Sequence, residues 1–126
     1  MKRLWIGVGL LILLLVLGIL TTVFAARHQE QIAQTLTEAR SAAEVGQWEK
    51  AAGACFRAKA LWEKHHHLTA AIADHEPMED VESLFAQLEI YLKARDPVAF
   101  SACCSSLEVF ARAIGEAHSV SWWSLL

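Results

Sequence analysis

The chain opens with an unbroken apolar run and then changes to a mixture of apolar and polar positions. No charged residue lies between Leu4 and Ala26, a stretch of about 23 residues that reaches about 34 Å as a helix. That length is enough to cross a hydrocarbon core of about 30 Å. The pattern predicts a transmembrane helix over 4–26, preceded by a short segment at 1–3, with the lipid bilayer as its partner.

The charges that flank this run predict its orientation. Lys2 and Arg3 precede it, whereas Arg27 follows it with an acidic residue close behind. The positive-inside rule places the more basic flank in the cytoplasm, so we expect residues 27–126 to form an extracytoplasmic domain. A cleaved secretory signal is the alternative, with small residues at 23–25 before the cleavage site. The apolar core of a signal peptide usually has about 7–15 residues. This run is longer, which favours an uncleaved anchor in the cell membrane.

Beyond the anchor, apolar residues recur at helical spacing in four successive stretches. The first stretch continues directly from the apolar run, so the membrane helix should extend outward as a stalk. The fourth is spaced by three and four residues throughout, as in a packed bundle. The four stripes are Ile32, Leu36, Ala39 and Ala43; Trp48, Ala51, Cys55, Ala58 and Trp62; Val81, Leu84, Phe85, Leu88, Tyr91 and Leu92; and Phe100, Cys103, Leu107, Phe110 and Ile114.

Turn signals separate the four stretches. Gly46 is placed to end the stalk, because glycine readily adopts the left-handed conformation of a helix C-terminus. Asp74 with Pro77, and Asp96 with Pro97, each combine a capping residue with a proline suited to the first helical turn. We expect Gly115 or the 119–121 region to end the last helix.

These elements predict an all-α fold. It consists of an N-terminal transmembrane helix that continues into a stalk, followed by three amphipathic helices in an antiparallel helical bundle. No stretch alternates apolar and polar residues for long enough to predict a strand. Glycine and proline are scarce, at 6 and 2 residues in a chain of 126, and this composition suits helices.

The charge balance bears on the partners of the domain. Lys2 and Arg3 lie before the apolar run, so the remaining 9 basic and 14 acidic residues give the rest of the chain a charge of −5. An acidic domain has no general attraction for nucleic acid or for an anionic membrane surface. We therefore expect no nucleic-acid partner.

Histidines near the end of the second helix suggest the one candidate metal site. Glu63 and His67 are four residues apart and share a helix face, and His75 and Glu76 lie near the next turn. Zinc accepts imidazole and carboxylate ligands, but no paired spacing such as HExxH is present. The pattern therefore favours a polar helix end, with His75 in a structural role at the turn, and predicts no cofactor.

The cysteines and tryptophans are interpreted mainly as core residues. Cys55 and Cys103 fall on apolar stripes, where a free thiol behaves as a small hydrophobic group. A bridge from Cys55 to Cys103 or Cys104 stays open, because an exported domain permits disulfides. Trp48 and Trp62 lie at helical spacing and are expected to be structural. The C-terminal pair at 122–123 is either a plug for the bundle or an interfacial anchor returning to the bilayer.

Taken along its whole length, the chain resembles the bacterial domain-of-unknown-function family 4363, whose members have a short basic N-terminus, one membrane helix and a helical domain of this length. Members of that family tend to end in Asn-Ile followed by Leu or Phe, whereas this chain ends in Trp123-Ser124-Leu125-Leu126. The resemblance supports the topology and implies no activity. The matching segments are Met1-Lys2-Arg3 with the leucine-rich run, Gly46-Gln47-Trp48-Glu49-Lys50-Ala51, Leu61-Trp62, Asp74-His75-Glu76 and the aromatic-aliphatic tail.

The functional expectation follows from these patterns. No phosphate-binding glycine loop, nucleophile elbow or pair of catalytic carboxylates is recognisable. We expect a non-enzymatic, membrane-anchored module for protein interaction, self-association or structural support. The alternative is an extracytoplasmic module that binds a metal or small ligand through the His65–Glu76 region.

Overall fold

The computed structural model describes the backbone of residues 1–69 and 76–123 and the side chains of residues 1–64 and 79–116. The described chain forms four helices: α1 (Lys2–Glu44), α2 (Trp48–Thr69), α3 (Glu76–Ala94) and α4 (Pro97–Trp123). They pack antiparallel, and α1 makes its most extensive contacts with α4 and then with α2. The predicted all-α fold is confirmed.

α1 is one continuous helix of 43 residues, about 64 Å long. It passes the expected boundary between Ala26 and Arg27 without a break. Its first half exposes large apolar side chains, such as Leu10 and Leu14, each 59% exposed. Its second half buries one face, which includes Ile32 and Leu36, in the core. The long apolar helix is therefore suited to a membrane anchor or a signal sequence.

The turns form where the sequence places its signals. Gly46 has a positive φ of 77°, and the Gly46 and Gln47 amides donate to the carbonyls of Ala43 and Ala42 at 3.1 and 2.9 Å. These bonds satisfy carbonyls that the end of α1 leaves unpaired. Asp96 caps α4, because its Oδ1 accepts from the Val98 and Ala99 amides, both at 3.2 Å. The Asp74 signal lies outside the described residues.

The end of α4 differs from the expectation. The helix continues through Gly115 to Trp123, so the prediction that it ends at Gly115 or near 119–121 is wrong. A Cβ at Gly115 would lie 3.4 Å from Cβ of Gln29. Gly115 is therefore better explained as the point where α4 approaches α1 closely than as a helix terminator.

Two helices in the described part of the chain are long and apolar enough to cross a membrane by length and composition: α1 and the Pro97–Glu116 part of α4. They differ in burial, since 33% of the α4 stretch is buried against 6% of the apolar part of α1. α4 packs against the second half of α1, where Phe100 and Leu107 join the core. These contacts are those of a helix in a bundle.

Candidate functional site

The candidate metal ligands lie mostly beyond the described side chains. Glu63 is exposed on α2, whereas His67, His75 and Glu76 lie outside the residues whose side chains are described. Within residues 1–64 and 79–116, no three or more His, Cys, Asp or Glu side chains are grouped so as to hold a metal ion. The metal site at the His65–Glu76 turn stays a prediction, and so does the structural role of His75.

The two tryptophans of α2 lie at its inner face. Trp62 is 6% exposed and belongs to the core. Trp48 is half-buried, and its ring meets Phe100 of α4 edge-on, with a centroid distance of 5.7 Å and an interplanar angle of 77°. Edge-to-face pairs of this kind add about 0.5–1.5 kcal/mol beyond burial. Trp48 therefore ties the start of α2 to the start of α4.

Three free thiols lie in the core, one from α2 and two from α4. Burial, together with the nearby Glu89 carboxylate, raises the pKa of Cys55 to about 11. Burial likewise raises the pKa values of Cys103 and Cys104, and Cys103 Sγ donates to the Leu84 carbonyl at 3.2 Å. Because the thiolate is the nucleophile, these protonated thiols are poorly reactive at neutral pH.

A buried polar cluster joins α1 to α4. Arg40 Nη1 donates to Ser105 Oγ at 2.9 Å and lies 3.7 Å from a carboxylate oxygen of Glu108. Glu108 is only 5% exposed, and its other oxygen has no hydrogen-bond partner among the described residues. A buried carboxylate paired to an arginine at one oxygen fixes the register of two helices, since breaking the pair leaves an uncompensated charge.

The sequence reasoning missed this cluster, although one signal for it exists. Cys104, Glu108, Ala111 and Gly115 are spaced by four, three and four, and all are buried. This second row on α4 consists largely of small residues, which let α1 approach closely. The pattern along α4 alone does not predict the burial of Glu108, because charged side chains are rarely buried without a partner and its partner, Arg40, lies on α1.

A shallow groove of about 440 Å³ runs between α1 and α2. It is bridged by an exposed ion pair between Arg57 and Glu38 at 3.2 Å. Its open form and solvated charges suit a surface furrow better than a reaction site, because ligand sites usually enclose their ligand in a mostly apolar pocket. Its lining residues are Gln31, Gln34, Thr35, Glu38, Arg57, Ala60, Leu61 and Lys64.

The outer surface of α4 carries an uncharged stripe, which we call the α4 outer face: Val98, Ala102, Ser106, Val109 and Ala113. All five residues are exposed, and Val98 and Val109 are 79% and 66% exposed. Between Pro97 and Ala111 the only charged residue of α4 is Glu108, which is buried. The stripe is spaced by four, four, three and four residues, the spacing with which one helix packs against another.

Comparison with known proteins gives one result. No curated protein and no solved structure matches the chain significantly. Residues 21–124 match the family described as domain of unknown function DUF4363, a span that runs from the last turns of the apolar half of α1 to the end of α4. Since that match covers most of the 126 residues, the chain belongs to the DUF4363 family.

Proposed function

We propose that this chain is a single-pass membrane protein whose outer helical domain is a non-enzymatic module for self-association. The observation that carries the proposal is the division of α1. One uninterrupted helix exposes every large apolar side chain between Leu4 and Phe24 and buries a single face between Gln29 and Ala43. A helix that is apolar all round needs an apolar solvent.

An uncleaved anchor is supported by the way α1 is built. The packed face of its second half continues into the apolar half. Ala25 and Thr22 on this face are half-buried, and Gly18 is buried. A signal peptidase cut near Ala25 would divide this face. The orientation rests on Lys2 and Arg3 at the N-terminal flank, which favour a cytoplasmic N-terminus and an extracytoplasmic domain.

The non-enzymatic role is supported by the interactions of the thiols and charged groups in the bundle. The buried thiols are held protonated by their raised pKa values. Arg40 and Glu108 join two helices, and Lys59 and Glu89 join α2 to α3 at 2.7 Å. These groups serve packing and register, which are the needs of a module that presents a surface.

The α4 outer face is the surface that we assign to self-association. Copies anchored through α1 share one orientation in the membrane, so two of them pair about an axis along the membrane normal and present the same face to each other. When two copies present this uncharged stripe to each other, no like charges are brought together. The charged faces of α2 and α3 would bring like charges together in the same arrangement. Confinement to the membrane raises the effective concentration of the copies.

The topology is tested by adding a protease to spheroplasts. We expect the domain to be digested while a fragment containing the apolar half of α1 stays with the membrane. Full protection of the domain contradicts the orientation, and release of the intact domain from untreated membranes contradicts the anchor.

Self-association is tested by crosslinking the full chain in native membranes, with Val109→Glu as the disrupting variant. Its matched control is Ile90→Glu, because Ile90 is similarly exposed at 63% on α3 but lies between the charged Glu89 and Lys93. We expect Val109→Glu to abolish a dimer crosslink that Ile90→Glu retains. Loss in both variants, or in neither, contradicts the assignment to α4.

The metal-binding alternative has its own test. Zinc or copper is added to the full chain in detergent while thermal unfolding is followed, and His75→Gln is the comparison. Stabilisation by the metal that is lost in His75→Gln supports a ligand site at the 65–76 turn, and equal melting curves with and without the metal remove it.

A further inference from the structure

The groove between α1 and α2 has one end that lies closer to the apolar run than the other. Its outer end is marked by Glu38 and Arg57, whose charged atoms lie 3.2 Å apart. Its inner end is formed by Gln31 of α1 and Lys64 of α2. Each of these is seven residues from the ion pair along its own helix, so the groove spans about 10 Å along the helix axes.

The inner end of the groove reaches the level of the lipid headgroups if the apolar run spans the membrane. Gln31 follows Ala26, the last residue of the apolar run, by five residues, which is about 7–8 Å of helix. The headgroup layer extends about 5–8 Å beyond the hydrocarbon core on each side of a bilayer. Because α1 continues unbroken from Lys2 to Glu44, the helix itself holds the groove at this height.

The charges of the groove are unevenly balanced along its length. The ion pair at the outer end leaves no net charge there. At the inner end, Lys64 is exposed and has no ion-pair partner among the described side chains. Glu63 lies one turn beyond Lys59, which bonds to Glu89 of α3 at 2.7 Å, so Glu63 faces α3 rather than the groove. The inner end is therefore locally positive, although the domain as a whole is acidic.

A second cation lies on the same face of α1, one turn closer to the membrane. Arg27 precedes Gln31 by four residues and Gln34 by seven, and a regular helix places residues at these spacings on one side. Arg27 is exposed and has no ion-pair partner within the described part of the chain. The nearby Glu30 lies 3.8 Å from Arg112 of α4 instead. Two cations from different helices thus flank the headgroup level.

We propose that the inner end of this groove binds the headgroup of an anionic phospholipid from the outer leaflet. This inference rests on the proposed anchor and goes beyond self-association. Lys64 and Arg27 contact the phosphate, since both residue types bind phosphate oxygens, and the Gln31 amide donates to it. A headgroup without a cation is preferred because it brings no positive charge against Lys64. The acyl chains extend along the apolar half of α1, whose large apolar side chains are exposed.

The test measures the binding of single lipids to the full chain in detergent micelles by native mass spectrometry. Phosphatidylglycerol and phosphatidylcholine of equal chain length are the probes. Lys64→Gln removes the charge at the groove, and Lys64→Arg keeps it. Lys50→Gln is the matched control, because Lys50 is exposed on the same side of α2 but fourteen residues farther from the membrane end. It gives the chain the same net charge as Lys64→Gln.

We expect the unaltered chain to bind phosphatidylglycerol more tightly than phosphatidylcholine. Lys64→Gln should raise the Kd for phosphatidylglycerol about fivefold, which is the effect of one basic residue close to a membrane surface. Lys50→Gln and Lys64→Arg should leave this Kd within about twofold of the original value. An unchanged Kd in Lys64→Gln overturns the inference, and so does an equal rise in Lys50→Gln.

Two further measurements separate the lipid from its headgroup and the inference from the anchor. If dissolved glycerol phosphate binds as tightly as phosphatidylglycerol, the site needs no lipid and the inference is overturned. Membranes that contain the chain are also washed with alkaline carbonate. Release of the chain contradicts the anchor, and this inference with it. A chain that is retained, but whose lipid binding does not depend on Lys64, contradicts this inference alone.

Discussion

The two halves of α1 are one helix in opposite surroundings. Leu13 in the apolar half is 56% exposed, whereas Leu36 in the second half is fully buried. The residue type is the same, and what differs is the pattern around it: the first half has no polar face, and the second has one apolar stripe. A helix with a single stripe satisfies it with neighbouring helices, and a helix without a polar face needs lipid. The residues of α1 that belong to the core accordingly begin at Ile32, beyond the end of the apolar run.

The stability of the packed half of α1 depends on the helices around it. Among the substitutions considered, we expect the largest loss of stability from Trp62→Ala on α2. We expect Trp62→Ala to lower the free energy of unfolding by about 3–5 kcal/mol, because it empties a large buried volume. Circular dichroism of the full chain in detergent under increasing urea measures the change. The matched control is Phe56→Ala on the same helix, where Phe56 is 75% exposed, and it should stay within about 0.5 kcal/mol.

One substitution in each half of α1 tests whether the two halves contribute differently to the free energy of unfolding. Leu36→Ala should lower the free energy of unfolding by about 2–5 kcal/mol through the cavity that it leaves. Leu13→Ala should leave urea unfolding of the domain unchanged, because its exposed side chain lies outside the core and would face lipid in the proposed anchor. If both variants lower the unfolding midpoint equally, the apolar half is part of the core and the contrast between the two halves fails.

The buried thiols test how apolar the packed half is. Cys55→Ser should cost about 1–3 kcal/mol, because its hydroxyl loses water on burial. The raised pKa of Cys55 also predicts that an alkylating reagent modifies the native chain far more slowly than the unfolded chain near neutral pH. Mass analysis under non-reducing conditions provides the check. A quantitative bridge from Cys55 to Cys103 or Cys104 would contradict the free-thiol interpretation.

The smallest effect concerns the surface of the bundle. The hydrogen bond from Lys59 lowers the pKa of Glu89, and the same bond raises the pKa of Lys59. Both side chains keep substantial contact with solvent, at 40% and 45% exposed, so the pair should contribute less than about 1 kcal/mol. A lowered carboxyl pKa gives stability that is present above its ordinary value of 4.5 and is lost as the pH falls through the lowered value.

On the basic side, a raised amine pKa gives stability that is present below its ordinary value of 10.5 and is lost as the pH rises above the raised value. Urea unfolding of Glu89→Gln and of the unaltered chain should therefore converge in acid and at high salt. If the two chains still differ as much in their free energy of unfolding at about 1 M salt, the pair is not a screened surface interaction.

Local signals explain why most of the fold was predictable. The apolar stripes, Gly46 and the Asp96–Pro97 pair each act within a few residues, and the helices start and stop accordingly. The turn before α4 had no such glycine: Arg95 itself adopts a positive φ of 51°, a conformation that few non-glycine residues adopt.

The contacts between distant helices were not predictable. The burial of Glu108 and Gln29 depends on α1 and α4 lying side by side, and no spacing along either helix encodes that choice of partner. The continuation of α4 past Gly115 has the same origin, because a glycine ends a helix or admits a close neighbour according to what packs against it. The side chains of His67, His75 and Glu76 lie outside the described part, so the ligand site at this turn stays a prediction.

Because α1 is one continuous helix from Lys2 to Glu44, a tilt of its apolar half also tilts its second half. A bilayer thinner than the apolar run is accommodated by helix tilt, and tilts of about 20° are ordinary. Since no hinge separates the two halves, the domain must incline by the same angle. The stretch from Ala26 to Glu44 is about 27 Å long, so its far end swings by about 9 Å for such a tilt. With α1 as the proposed membrane anchor, the thickness of the bilayer would therefore change the direction in which the helical domain points.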